Sequence, residues 1–289
     1  MTKFRLLASL LLLAAAPAPA PQARPALWKI ADADTTIYLF GTIHVLPDGY
    51  RWRGATLDRA IGTAQSLTLE TVLDIDPAHV ATLLSTMGRA DGLPPLAERV
   101  PPAKRAALAG LVEASGVPTE AFDRMKSWAA AIVLTGAAMR QIGLAGGSGI
   151  EPQLTAIFRA SGRPVDGLET PEQQLGFFDR LPEAAQRSFL VATLDSPDKG
   201  RAEFQEMLAA WSRGDPAAIA RSFGKDPEFT PELRDLLIRQ RDRAWADELA
   251  DRMKRPGVVF VAVGAGHLAG PDSVQRMLAA KGIRAMRVQ

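Results

Sequence analysis

Residues 258–263 read VVFVAV, six apolar residues in unbroken succession. A strand with one wet face alternates apolar and polar residues, so a continuous run demands cover on both faces. Six residues fall far short of the roughly 20 that a membrane-crossing helix takes. The run therefore belongs in the middle of a sheet, with helices on either side. Most of its prospective partners lie some 200 residues earlier. Segments 27–31 and 35–40 flank the turn-forming Asp32-Ala33-Asp34 and read as a hairpin, and 66–71 (SLTLET) is the next strand. Residues 164–168 form a shorter strand, and 283–288 (IRAMRV) alternates like an edge strand.

Helical patterns fill the remainder, at 56–65, 77–87, 102–115, 127–142, 152–161, 182–194, 199–211, 216–223 and 231–253. Several open on Pro after Asp, Glu or Thr, a start signal. A last helix runs from Pro271 to Lys281 and stops at Gly282. Segment 143–149 (GLAGGSG) is a candidate hinge or loop. The expected fold class is α/β: a central mixed sheet built from both ends of the chain, with a large helical insertion at about 74–162.

Charge and composition narrow the function. Lys and Arg number 34 against 32 Asp and Glu, and both excess cations, Lys3 and Arg5, fall within residues 1–23, which hold no acid. Residues 24–289 are formally neutral, which argues against nucleic acid as a partner. Two cations, an apolar core at 6–16 and a Pro/Ala run at 16–20 are the layout of a secretory signal peptide. Residues 1–23 are thus expected to export a single domain, 24–289, to a bacterial periplasm, leaving no membrane span. The absence of cysteine removes disulfides, thiolate metal sites and cysteine nucleophiles together.

The chain has three histidines, and two share a setting. Strand 35–40 runs into Gly41-Thr42-Ile43-His44, and strand 258–263 into Gly264-Ala265-Gly266-His267. Ligand sites of open α/β sheets cluster at the carboxyl ends of strands, so both histidines can reach one crevice. Glu70 ends strand 66–71 on the face opposite Leu67 and Leu69, and Glu169 follows strand 164–168 in the same way. Two histidines and one or two carboxylates suffice for a Zn²⁺, Mn²⁺ or Co²⁺ site with an open water position. The same residues can also run metal-free acid–base hydrolysis. Arg234, Arg239, Arg241 and Arg243 alternate with acids and read first as helix surface pairs, second as an anion-binding element. His-Glu-x-x-His, Gly-x-Ser-x-Gly, Walker A and a complete dinucleotide fingerprint are all missing.

The ordered set LFGTIHVLP (39–47), SLTLE (66–70), GLETPEQQ (167–174), WSRGD (211–215), RDRAW (241–245) and VGAGHLAG (263–270) resembles the TraB/PrgY/GumN family, which includes the Tiki proteins. The resemblance spans nearly all of 24–289. It implies a fold like that of erythromycin-esterase and ChaN-type proteins. It also implies a divalent-metal-dependent hydrolase of peptidase type, with His44, Glu70 and His267 holding Mn, Co or Zn. Glu169 and Arg241 match further family motifs. Glu169 is then expected as general base or support, and Arg241 as a stabiliser of the oxyanion or a clamp on a substrate carboxylate. Where the family often has Asp after Gly near mid-chain, this sequence has Gly149-Ile150-Glu151, with a longer acid. Two alternatives stand beside the metallo-hydrolase: a non-catalytic protein that binds a peptide or haem, and a metal-free esterase or amidase using His44 and Glu70. The substrate or ligand in each case is a peptide or small molecule.

Overall fold

A computed structural model describes residues 22–72, 77–144, 149–225 and 227–289. The proposed signal core and positions 145–148 of the GLAGGSG segment lie outside them. Ala23 is already packed into the core, and its amide donates to the Arg51 carbonyl. Ala23, the last residue of the expected 1–23 leader, thus belongs to the packed domain.

Six strands form one mixed sheet: β1 (Leu27–Ala31), β2 (Thr35–Thr42), β3 (Ser66–Thr71), β4 (Val165–Glu169), β5 (Gly257–Gly264) and β6 (Met286–Arg287). Their order is β4-β3-β5-β2-β1-β6. The four from β4 to β2 are parallel, whereas β1 runs antiparallel to β2 and β6. The hairpin closes where the Asp32 carboxylate accepts from the Thr35 amide at 2.8 Å.

The VVFVAV run sits in β5, flanked by β3 and β2, and feeds two cores. Phe260 and Ala262 join Phe40, Leu67 and Leu69 on one face, under Ile150, Leu154 and Phe158 of helix Ile150–Ala160. Val259, Val261 and Val263 join Ile37 and Leu39 on the other, under Trp245 and Leu249 of helix Gln240–Arg252 and Leu278 of helix Val274–Ala280. Spacings of three and four residues place these side chains on one stripe of each helix. A further core lies among helices Arg105–Ser115, Ser127–Gln141 and Glu183–Ala192. The last of these comes after β4, so helical packing also draws on the β4–β5 connection. Pro-led helix starts are confirmed at Thr170 and Thr230, whose hydroxyls cap the first turn, and the helix expected from Lys199 starts earlier, at Pro197, capped by Ser196.

Several elements differ from the sequence reading, among them helix Thr119–Asp123, which the sequence reading lacks. The 283–288 strand shrinks to β6, paired only with Trp28 and Lys29, because Ile283 and Ala285 turn into the second core instead. The helix expected from Pro271 begins at Val274, after a 3₁₀ turn at Ala265–Leu268. The continuous helix expected over 231–253 is three pieces: Pro231–Arg234, a π-helical Asp235–Arg239 and Gln240–Arg252. No Pro or Gly marks that widened turn, so no sequence signal announces it. Among the described residues no helix is long and apolar enough to cross a membrane.

Candidate active site

The parallel strands bring their carboxyl ends to one edge of the sheet. Thr42 of β2 pairs with Gly264 of β5, and Thr71 of β3 with Glu169 of β4. His44, Glu70, Glu169 and His267 all emerge along this edge, although they span 223 residues of sequence (267 − 44).

Gly264 marks their meeting point. A Cβ placed there would lie 3.0 Å from Glu70 Oε1, 3.6 Å from His44 Nε2 and 3.7 Å from His267 Cδ2. Glycine leaves room for the three side chains to meet over the strand end. Glu70 Oε1 accepts the Gly264 amide at 2.5 Å, and His267 Nε2 lies 3.6 Å from the same oxygen.

Each imidazole is backed by a carboxylate. His44 Nδ1 is 2.7 Å from Glu151 Oε1, which also accepts from the Thr42 hydroxyl at 2.5 Å. Burial raises the Glu151 pKa, but His44 and Thr42 outweigh it and hold the carboxyl below its usual range. Ionised Glu151 accepts a proton-bearing Nδ1 and leaves His44 Nε2 facing the site. His267 Nδ1 is 2.6 Å from Asp242 Oδ1, while Arg241 Nη1 donates to His267 Nε2 at 3.2 Å. Trp245 packs on the His267 ring at 4.5 Å between centroids.

The halves differ in exposure. The His44 side chain is 71% exposed, whereas Asp242 is fully buried and His267 nearly so. The hydrogen bond to Glu151 raises the His44 pKa to about 9, against burial and with help from the Glu151 and Glu70 charges. Water at the exposed edge of the ring screens part of that pull. Burial pushes Asp242 up to about 6, against His267 and Arg241.

Arg241 is locked in place. Its Nε and Nη2 bind Glu169 in a two-pronged pair, both at 2.8 Å, and Nη2 also donates to Glu70 Oε2 at 2.8 Å. Sequence patterning grouped Arg241 and Asp242 with surface pairs; both are buried instead. Arg239 does make surface pairs, with Asp235 and Asp272. Arg241 thereby clamps Glu70 and Glu169 together, while its Nη1 meets His267 and the Leu237 carbonyl. Glu169 has both of its oxygens on Arg241.

Burial pushes the Glu70 pKa up, but His267, Arg241, His44 and the Gly264 amide bring it down from 4.5 to about 2. A carboxyl depressed on folding contributes stability that is full above pH 4.5 and lost as pH falls through about 2. Acid titration of the Glu70→Gln variant, followed by circular dichroism, is expected to show a shallower stability loss across that window than the native chain.

Two residues of the cluster escaped the sequence reading. Asp242 lies three, four and seven residues before Trp245, Ala246 and Leu249, on the buried stripe of its helix. That register was a usable signal. Glu151 was noted only as a departure from a family pattern, and nothing local distinguishes it from a helix-start acid.

A metal ion would need donors of the type gathered here. Two imidazoles with carboxylate-held Nδ1 atoms and one ionised carboxylate fit a divalent cation in kind. Thr71 Oγ1, Glu151 Oε2 and Asp242 Oδ2 are buried around the cluster without a hydrogen-bond partner in the described structure. Among the described residues no group of three His, Asp or Glu is arranged to hold a metal ion. The Arg241 guanidinium stands between Glu70 and His267.

The fold and the cluster define an α/β protein with a histidine–carboxylate site at the carboxyl edge of a parallel sheet. Residues 26–287 match the TraB/PrgY/gumN family, and the chain belongs to it. It is 26% identical to the uncharacterized protein YbaP of Escherichia coli (strain K12), over 88% of this chain and 92% of that one. The Shigella flexneri YbaP is 27% identical over 83% of this chain and 87% of its own length. An uncharacterized Treponema pallidum protein is 27% identical over 53% of this chain and 49% of its own. No solved structure matches.

Proposed function

We propose that the chain is an exported hydrolase of peptidase type, in which His44, Glu70 and His267 hold a divalent ion such as Mn²⁺, Co²⁺ or Zn²⁺. One observation carries the reading: three donor side chains converge on Gly264, each imidazole with its own carboxylate behind it. Charge supports it. Glu70, Glu151, Glu169 and Asp242 gather with one guanidinium, Arg241, which pairs with Glu70 and Glu169; with both imidazoles neutral the four carboxylates exceed it by three charges. Protons on the imidazoles or a divalent cation can meet that excess. When bound, the ion supplies an acidified water and a Lewis acid for the scissile carbonyl.

The chain's own residues hold the reactive groups in place. Glu151 and Asp242 hold the two Nδ1 atoms, so that each Nε2 faces the site, and His44 releases its second proton when a cation takes its Nε2. Arg241 and the Gly264 amide orient Glu70 and keep it ionised. Exposed His44 is where substrate arrives, and buried His267 anchors the floor. Residues 24–289 as a whole are formally neutral, which leaves specificity to the crevice.

A second reading has its own support. Arg241 already donates to His267 Nε2, as in a metal-free site where His44 and Glu70 act on an ester or amide. The discriminating experiment is peptide hydrolysis by purified protein with added Mn²⁺, Co²⁺ or Zn²⁺, after exhaustive chelation, and by Glu70→Gln. The metallo-hydrolase loses turnover to chelation and to the substitution. Turnover that survives chelation supports the metal-free reading, and no turnover with any metal supports a binding protein. Export through residues 1–23 is checked by cell fractionation with sequencing of the amino terminus; recovery in the cytoplasmic fraction with Met1 intact would refute it.

Gly264→Ala is expected to fold normally, since the glycine's φ of −51° suits any residue. Its methyl group would lie 3.0 Å from Glu70 Oε1 and fill the meeting point. Melting temperature should change little while turnover and metal uptake fall together, as calorimetry and metal analysis would report.

A further inference from the structure

His267 has one ring nitrogen to offer a metal. Nδ1 is committed to Asp242 at 2.6 Å, and the lone pair on Nε2 takes the Arg241 Nη1 proton at 3.2 Å. A nitrogen lone pair serves one partner at a time. An ion bound at Nε2 would also lie against a guanidinium of like charge, in a buried setting where charges interact strongly. Arg241 and a divalent ion thus contend for the same nitrogen and for the same carboxylate, Glu70, which Arg241 Nη2 holds at 2.8 Å.

We infer that Arg241 is an internal competitor for the metal: it caps His267 and holds Glu70, and a divalent ion binds by displacing it from His267. This rests on the metal-site reading above and adds a mode of regulation to it. The geometry gives the displaced group somewhere to go. Arg241 Nη1 also donates to the Leu237 carbonyl at 3.3 Å, so it keeps a partner after leaving the imidazole. Its Nε and Nη2 stay paired with Glu169. Leu237 belongs to the π-helical turn, where the Gln240 amide reaches back five residues to the Asp235 carbonyl. Wide turns of this kind occur often at functional sites. Here the turn lies directly before the residue that must move.

Trp245 is a built-in reporter. The Arg241 guanidinium carbon stands 4.7 Å from its ring, and the His267 ring is 4.5 Å away between centroids. Withdrawal of Arg241 from His267 alters both contacts.

The test titrates Zn²⁺ into the native full chain and into Arg241→Gln, by calorimetry and by tryptophan emission, with Trp245→Phe to assign the signal. Removing one buried positive charge beside the ion should tighten Zn²⁺ binding at least about tenfold. In the native chain, Zn²⁺ should shift an emission component that Trp245→Phe lacks. Folded Arg241→Gln that binds Zn²⁺ no more tightly than the native chain overturns the inference. Should that variant fail to fold, native protein that binds Zn²⁺ calorimetrically with no change at Trp245 overturns it as well. No Zn²⁺ binding by either folded protein removes the metal-site reading itself, and the competition with it.

Discussion

Arg241→Met is expected to cost the protein about 3–5 kcal/mol of stability, the usual cost of removing one partner from a buried ion pair. The guanidinium pairs with both Glu70 and Glu169, and all three side chains are buried. Methionine fills much of the same volume but leaves two carboxylates facing each other in a poorly hydrated place. Their repulsion must then be relieved by opening the site to water. For a chain of this length the melting temperature should fall by roughly 10 °C. Adding Glu169→Gln to Arg241→Met removes one stranded charge and should recover part of the loss. Arg239→Met, by contrast, breaks only partly exposed pairs and should cost less than about 1 kcal/mol. Thermal melts of the four proteins check the set; equal melting temperatures for Arg241→Met and Arg239→Met would contradict it.

Gly149→Ala carries the second large effect, and it acts on the site more than on the fold. The φ of Gly149 is −68°, so alanine suits its backbone. Space is the obstacle: a Cβ would stand 2.0 Å from the His44 carbonyl oxygen and 2.6 Å from its carbon. Both are main-chain atoms, so no side chain can swing aside. Helix Ile150–Ala160 or the His44 loop must withdraw by about 1 Å or more, since uncharged C···O contacts settle near 3.3 Å. The Ile150 amide would then lose its 3.2 Å bond to the Ile43 carbonyl, and Glu151 its 2.7 Å contact with His44. Overpacking of this sort costs about 1–3 kcal/mol. A displacement of that size in a catalytic group can cost on the order of 100-fold in rate. The direct readout is the His44 titration followed by NMR. It should move from about 9 toward 6.5 as Glu151 withdraws; an unchanged titration would show that the helix never moved.

Much of the sheet was legible because its strands announce themselves by run length and alternation. VVFVAV could only be a central strand, and SLTLET shows Leu67 and Leu69 on one face with Glu70 on the other. The cluster was less legible, for a physical reason. His44, Glu70, Glu169 and His267 stand out because each follows an apolar strand. Asp242 and Arg241 lie in a helix dense with charge, where sequence alone suggests solvent-facing pairs. Only three-dimensional packing buries them, as Trp245 and Leu249 turn that stripe onto the sheet. Glu151 depends on Gly149 bringing a helix start within touching distance of the His44 loop, a contact between segments about 105 residues apart (149 − 44). The π turn before Arg241 leaves no compositional trace at all.

The central claim is that His44, Glu70 and His267 form one divalent-metal site, and metal content tests it most directly. The purified protein and its His44→Ala and His267→Ala variants would each be loaded with Mn²⁺, Co²⁺ or Zn²⁺, desalted, and analysed for bound metal per chain. A stoichiometric ion in the native protein, lost from both folded variants, is the predicted result. Equal metal content in all three proteins would contradict it.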